Sequence, residues 1–247
     1  MSESPTIRRA RMFAGPNGSG KSVIKENVSP RLRGRYINPD DIEADIRRQG
    51  KFDFALWGLQ PRAEQLLPFL ASHPLVEKGE QVEAVRALRV SGTRLDFSQA
   101  PINSYLASAL SDFLRKRLLE AGDDFTFETV MSHKDKVEFL SYAQGCGYRT
   151  YLYYVCTKDP RINIDRVANR VANGGHAVRE DKIVDRYWKS LDLLLPAILA
   201  SNRAYLFDNS EEGGKAQCFA EFEDGHLTIR SSPQPRWFHT YVLDKTR

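Results

Sequence analysis

Apolar runs of strand length alternate along this chain with segments whose apolar positions recur every three to four residues. Ile7 to Ala14 ends in Met-Phe-Ala and predicts a buried strand, followed at once by Gly-rich sequence and a short helix through Val23, Ile24 and Val28. Arg35 to Asn38 predicts a second short strand stopped by Pro39, and Phe125 to Glu128 a third, after the helical signals cease at Gly122. Tyr148 to Thr157 and Ala204 to Phe207 are two more, each followed by polar residues. In the gaps, Leu106, Leu110, Phe113, Leu114 and Leu118 share one helical face, as do Ile183, Tyr187, Leu191 and Leu194. Strands alternating with helices predict an α/β fold, a mainly parallel sheet with helices on both faces.

Two regions fall outside that alternation. Gly50 to Pro101 is punctuated by Pro61, Pro68, Pro74, Gly79 and Gly92, and reads as a helical insertion over the sheet's active edge. Phe219 to Ile229 reads as a β-hairpin, because Asp224-Gly225 is a type I′ turn signal between strand-like flanks. The expectation is one domain over residues 1–247, with the insertion at about 50–101 and the hairpin appendage at about 216–247.

Composition narrows the class of protein. At 41% hydrophobic and 28% charged, with both signs interspersed, the chain carries enough apolar material to fold. No uncharged stretch approaches the roughly 18 apolar residues of a membrane span, and Met1-Ser2-Glu3-Ser4-Pro5 does not resemble a secretory signal. Cys146, Cys156 and Cys218 form no CxxC pair, so neither a disulfide scaffold nor a zinc site is expected. Reduced thiols in cytoplasm are. The balance of 36 basic against 32 acidic residues leaves only +4. The densest basic clusters, Arg8 to Arg11 and Arg31 to Arg35, are short, so neither a nucleic-acid nor a membrane partner is expected.

The strongest chemical signal is Gly15-Pro16-Asn17-Gly18-Ser19-Gly20-Lys21-Ser22, which matches G-x-x-x-x-G-K-[ST] between a predicted strand and a predicted helix. Glycines let successive backbone N–H groups turn toward phosphate oxygens, and the helix N-terminus favours the anion. Lys21 is expected to reach the β- and γ-phosphates of a nucleotide, and the Ser22 hydroxyl to ligate Mg²⁺. The base-reading N-K-x-D of switch GTPases is missing. Tyr151 to Cys156 also lacks the acidic ending of a transport ATPase strand. A kinase remains favoured over hydrolytic switching.

Ligands of open α/β sheets bind beyond the carboxyl ends of the strands, so the polar residues there are the acceptor-side candidates. A hydroxyl acceptor needs a carboxylate to take its proton, and Asp40 or Asp41 could supply it. Either could instead cap the helix that carries Ile42 and Ile46. Glu128 and Thr129 end the third strand in the same way and could hold the acceptor or a Mg²⁺-bound water. Arg161, Arg166, Arg170, Arg179 and Arg186 crowd one stretch, with Arg166 and Arg170 on one helix face, as a closing lid over a transferring phosphoryl group would require. Pairing with Glu180, Asp181 and Asp185 on a solvated helix is the alternative. Gly174-Gly175-His176 reads as a hinge or substrate turn.

The motifs AGPNGSGKS, YINPDDI, FETVMS, NIDRVANRVANGGHAV, RYWKSL and LFDNS, in this order, resemble the zeta toxin family of kinases, in particular its smaller predicted-ATPase branch. The likeness covers most of residues 7–210. It implies a P-loop kinase fold and ATP-dependent phosphorylation, with UDP-N-acetylglucosamine the acceptor in the characterised toxins and an antitoxin protein as a partner. By motif position it makes Asp40 the proton-accepting base, Arg166 and Arg170 the lid arginines and Glu128 the acceptor-side glutamate. Asn209 falls near the nucleotide base. Relatives often read Gly-Gly-His-x-Val-Pro, where this chain has Arg179 in the proline position. A nucleoside or polynucleotide kinase, and a nucleotide-dependent interaction module, are the alternative readings.

Overall fold

The structure is a computed structural model that describes residues 7–26, 28–211, 213 and 216–246, so the expectation for Met1 to Pro5 lies outside the described residues. The chain begins with β1 (Arg9–Ala14), α1 (Lys21–Glu26) and α2 (Pro30–Arg33). It continues through β2 (Arg35–Ile37), α3 (Pro39–Gln49), β3 (Lys51–Asp53), α4 (Ala63–Ala71), α5 (Pro74–Lys78), α6 (Val82–Ala87), β4 (Arg89–Ser91), β5 (Arg94–Asp96) and α7 (Ser104–Ala121). There follow β6 (Phe125–Thr129), α8 (Asp135–Gly145), β7 (Arg149–Cys156), α9 (Pro160–Ala172), α10 (Glu180–Asp192), α11 (Leu194–Leu199), β8 (Arg203–Asp208), β9 (Gln217–Glu223), β10 (His226–Ile229) and α12 (Arg236–Tyr241). Contacts divide the chain into two compact units, Met1–Gly34 with Thr126–Arg247, and Arg35–Phe125.

In the first unit six strands run in the order β10-β9-β8-β7-β1-β6. β7 pairs in parallel with β1 and with β8, from Arg9 opposite Arg149 and from Tyr151 opposite Arg203. β9 and β10 add antiparallel strands at one side, as the hairpin signal required. Their turn places Asp224 and Gly225 both at positive φ, 47° and 85°. Alternation explains why β7 sits centrally: Thr150, Leu152 and Tyr154 point to one face and are fully buried. On the other face Phe13, Tyr153 and Tyr205 form a stacked row across β1, β7 and β8, with centroids 4.7 and 5.0 Å apart, which fixes the register of the parallel strands. Beyond the hairpin, α12 buries Trp237 and Phe238 against Phe219, with ring centroids 5.4 and 5.2 Å away. The sequence reading had only the hairpin there, because six residues of helix contain too few turns to show a period.

The second unit is built on α7. Asn103 caps it by accepting the N–H groups of Tyr105 and Leu106, and Gly122 ends it in the left-handed conformation at φ 78°. Its predicted face, Leu106, Leu110, Phe113, Leu114 and Leu118, is buried. Phe113 meets Phe54 and Phe69 edge-on at 6.0 and 5.3 Å. The region from residue 50 to 101 holds the expected short helices and also a three-stranded sheet, β3-β5-β4, that the sequence reading did not anticipate. Strands of three residues are too short to display alternation. The compact unit is also wider than the expected insertion, extending to Arg35 and Phe125.

Candidate functional site

The loop between β1 and α1 is held by close backbone approaches that only glycine permits. At Gly15, φ 147°, a Cβ would lie 2.1 Å from the Val155 carbonyl oxygen of β7. At Gly20, φ 97°, it would lie 2.1 Å from Asn209 Nδ2. Two asparagines from other elements then fasten the loop. Asn163 of α9 donates from Nδ2 to the Asn17 carbonyl at 2.6 Å, and Asn209 donates from Nδ2 to the Ser19 carbonyl at 2.8 Å. Both asparagines are buried, so these bonds are formed away from competing water. Asn163 is itself held by the Thr157 hydroxyl, and the Asn209 N–H by the Cys156 carbonyl at 2.9 Å.

Lys21 opens α1 and is only 8% exposed. Its Nζ donates to the carbonyls of Gly15 at 2.9 Å and Pro16 at 3.0 Å, and lies 4.0 Å from Glu128 Oε1 at the end of β6. A buried ammonium needs such partners, and the carboxylate offsets its charge. Ser22 is exposed at the start of the same helix, while the Ser19 hydroxyl is fully buried and has no hydrogen-bond partner among the described residues. Burial pushes the Cys156 thiol up to about 12, so it stays protonated at neutral pH and offers no nucleophile.

The predicted arginines are distributed unequally. Arg166 of α9 donates to the Asn209 carbonyl at 2.8 Å and the Glu211 carbonyl at 3.2 Å, which brings it to the segment that fastens the loop. Arg170, one turn on, is exposed and donates to the His176 carbonyl at 2.8 Å, closing the Gly174-Gly175-His176 turn between α9 and α10. Arg179 pairs with Asp181 at 2.8 Å, as the solvated-helix alternative expected. Arg186 of α10 instead reaches the loop itself, donating to Asn17 Oδ1 at 3.4 Å. The Thr129 hydroxyl accepts the Met131 N–H at 3.0 Å and so shapes the chain beyond β6.

Asp40 and Asp41 lie in the second unit, exposed in the first turn of α3. Neither caps that helix, which corrects the capping alternative: Asn38 is the cap, its Oδ1 accepting the Asp40 N–H at 3.0 Å. Pro39 follows at the first helical position, a residue with no N–H to satisfy.

Asn163, which fastens the loop, is a residue that sequence reasoning passed over. Its signal was a polar residue one turn before Val167 on the buried face of α9.

No protein-family model and no curated protein matches the chain. Solved structures do. A chain of the crystal structure of AvrRxo1-ORF1:AvrRxo1-ORF2 with sulphate ions is 13% identical, with a TM-score of 0.52 over 90% of this chain and 60% of that one. The AvrRxo1-ORF1:-ORF2 structure with ATP gives 13% identity and 0.53 over the same shares. What the likeness shows is the fold, a mainly parallel α/β sheet flanked by helices. This chain therefore spans about 60% of the length of the AvrRxo1 chains it matches. The PezAT chromosomal toxin-antitoxin system of Streptococcus pneumoniae also matches, at 14% identity and a TM-score of 0.46, over 89% of this chain and 73% of that one. Among the described residues no helix is long and apolar enough to cross a membrane.

Proposed function

We propose that this protein is an ATP-dependent kinase of the zeta toxin kind, transferring the γ-phosphate to a hydroxyl of a small metabolite, with UDP-N-acetylglucosamine the first acceptor to test. The observation that carries the reading is the phosphate loop, with its buried lysine, its glycine-dependent approaches and two asparagines fastening its carbonyls. ATP bound in the AvrRxo1-ORF1:-ORF2 structure supports the choice of nucleotide.

In the reaction the loop's N–H groups and the α1 N-terminus receive the phosphates, and Lys21 exchanges its carbonyl partners for the β- and γ-oxygens. The acceptor oxygen forms a bond to the γ-phosphorus as the bond to the β-bridging oxygen breaks, and Asp40 takes the hydroxyl proton. Arg166 and Arg170 spread the charge of the transferring group, while Glu128, Thr129 and His176 bind the acceptor and Asn209 lies by the nucleotide base. Three or more clustered acidic, His or Cys ligands are not found among the described residues. The exposed Ser22 hydroxyl nevertheless fits Mg²⁺ of the kind that phosphates and water largely ligate. Bound there, the ion would neutralise phosphate charge. The two-protein composition of the AvrRxo1 structure supports a protein partner for this chain; the zeta toxin reading makes that partner an antitoxin and the location cytoplasmic.

The deciding experiment incubates the protein with labelled ATP and a panel of UDP-sugars, nucleosides and oligonucleotides. Label in a UDP-sugar is expected. Label in nucleosides or oligonucleotides would replace the acceptor class, and release of free phosphate alone would sink the kinase reading.

A further inference from the structure

The segment after β8 does two things for the phosphate loop. It presents the Asn209 side chain to the Ser19 carbonyl, and it offers the Asn209 and Glu211 carbonyls to Arg166. What fixes this segment is Asp208. Its Oδ1 accepts the Ser210 N–H at 3.0 Å, and its Oδ2 accepts the indole N–H of Trp237 at 2.9 Å. Ser210 in turn accepts the Lys158 N–H on its hydroxyl at 2.8 Å. Trp237 is 5% exposed and packed edge-on against Tyr154 at 6.0 Å and Phe219 at 5.4 Å, so its N–H is held in one direction.

We propose that the appendage formed by β9, β10 and α12 is a brace for the nucleotide site, and that Trp237 is its positioning residue, setting ATP affinity through Asp208 and Asn209. This rests on the ATP reading above. A hydrogen bond to a carboxylate is stronger than one between neutral groups, and here it stops the Asp208 carboxylate from turning about its own bond. Without it Asp208 loses its hold on Ser210, and Asn209 and the Glu211 carbonyl lose their fixed aim at the loop and at Arg166. Trp237 needs no contact with nucleotide to act in this way.

The test titrates ATP calorimetrically into wild type, Trp237→Phe, Asn209→Ala and the double variant, and follows amide exchange in residues 15–20 without nucleotide. Trp237→Phe keeps the ring packing and loses the N–H, so Kd should rise about tenfold, the loss expected for a hydrogen bond to a charged group. Loop exchange should quicken, and the losses in the double variant should fall well short of the sum of the two single losses. Unchanged Kd and exchange in Trp237→Phe, or full additivity with Asn209→Ala, would overturn the brace. Should Trp237→Phe fold poorly, Asp208→Asn carries the test, because an amide has one acceptor oxygen for two donors; wild-type affinity in that variant overturns the proposal. Wild-type protein that binds no ATP, with loop exchange still quickened in Trp237→Phe, would remove the nucleotide reading and leave the brace standing.

Discussion

The two units use their buried polar groups differently. In the first, Asn163, Asn209 and Thr150 bond across elements far apart in the chain, to Asn17, Ser19 and Asn202. In the second, Glu43 takes Arg47 one turn on, Ser111 donates to the Ala107 carbonyl one turn back, and Arg115 pairs with Asp112. Long-range polar bonds constrain where loops lie relative to strands, whereas bonds within one helix mainly reinforce the helix. The first unit is therefore the one whose interior is organised around a loop. The second is held by rings and aliphatic side chains on α7, and carries its candidate base exposed on the first turn of α3.

Substitutions can break this contrast. The largest effect belongs to Lys21→Ala, which should abolish transfer and weaken ATP binding, as read by labelled product and by titration, while the melting temperature stays near wild type. Transfer at the wild-type rate would end the phosphate-loop assignment. Phe113→Ala should cost about 3–5 kcal/mol in urea unfolding, because it empties the centre of the ring cluster. A loss below about 1 kcal/mol would mean that the second unit is not held by that cluster.

Asp40→Asn sharpens the comparison, since it keeps shape and removes the proton acceptor. Turnover should fall about a hundredfold with ATP affinity and melting temperature unchanged, the signature of a base rather than a structural residue. Full activity there with an inactive Asp41→Asn or Glu128→Gln would move the base and leave the kinase reading in place. The smallest effect is expected from Asn38→Ala, which removes the α3 cap and should cost about 1 kcal/mol by thermal or urea unfolding. If Asp40→Asn destabilises more than Asn38→Ala does, Asp40 has a structural role that its exposed position does not explain.

The phosphate loop, the central strands and α7 were legible in the sequence because each is local. A loop of glycines at set spacing, the continuous apolar and aromatic run that became β7 and eighteen residues of α7 with one apolar face all declare themselves within a short window. Pro39 likewise marked the end of β2, although Asn38 rather than an aspartate proved to be the cap. The three-residue strands β3, β4 and β5 and the six-residue α12 fall below the length at which a period is visible.

The sequence by itself determined the α/β alternation, the lysine-bearing loop and the residue types available around it. Only the tertiary structure decided which polar residues meet that loop. Asn163, Arg186 and Asn209 lie 146, 169 and 190 residues from their loop partners, and no local pattern records such pairings. The same holds for Trp237 and Asp208, 29 residues apart, whose bond depends on α12 folding back against β9. Local propensities act over a few residues, whereas long-range hydrogen bonds are selected by the packing that brings strand ends and helix faces together.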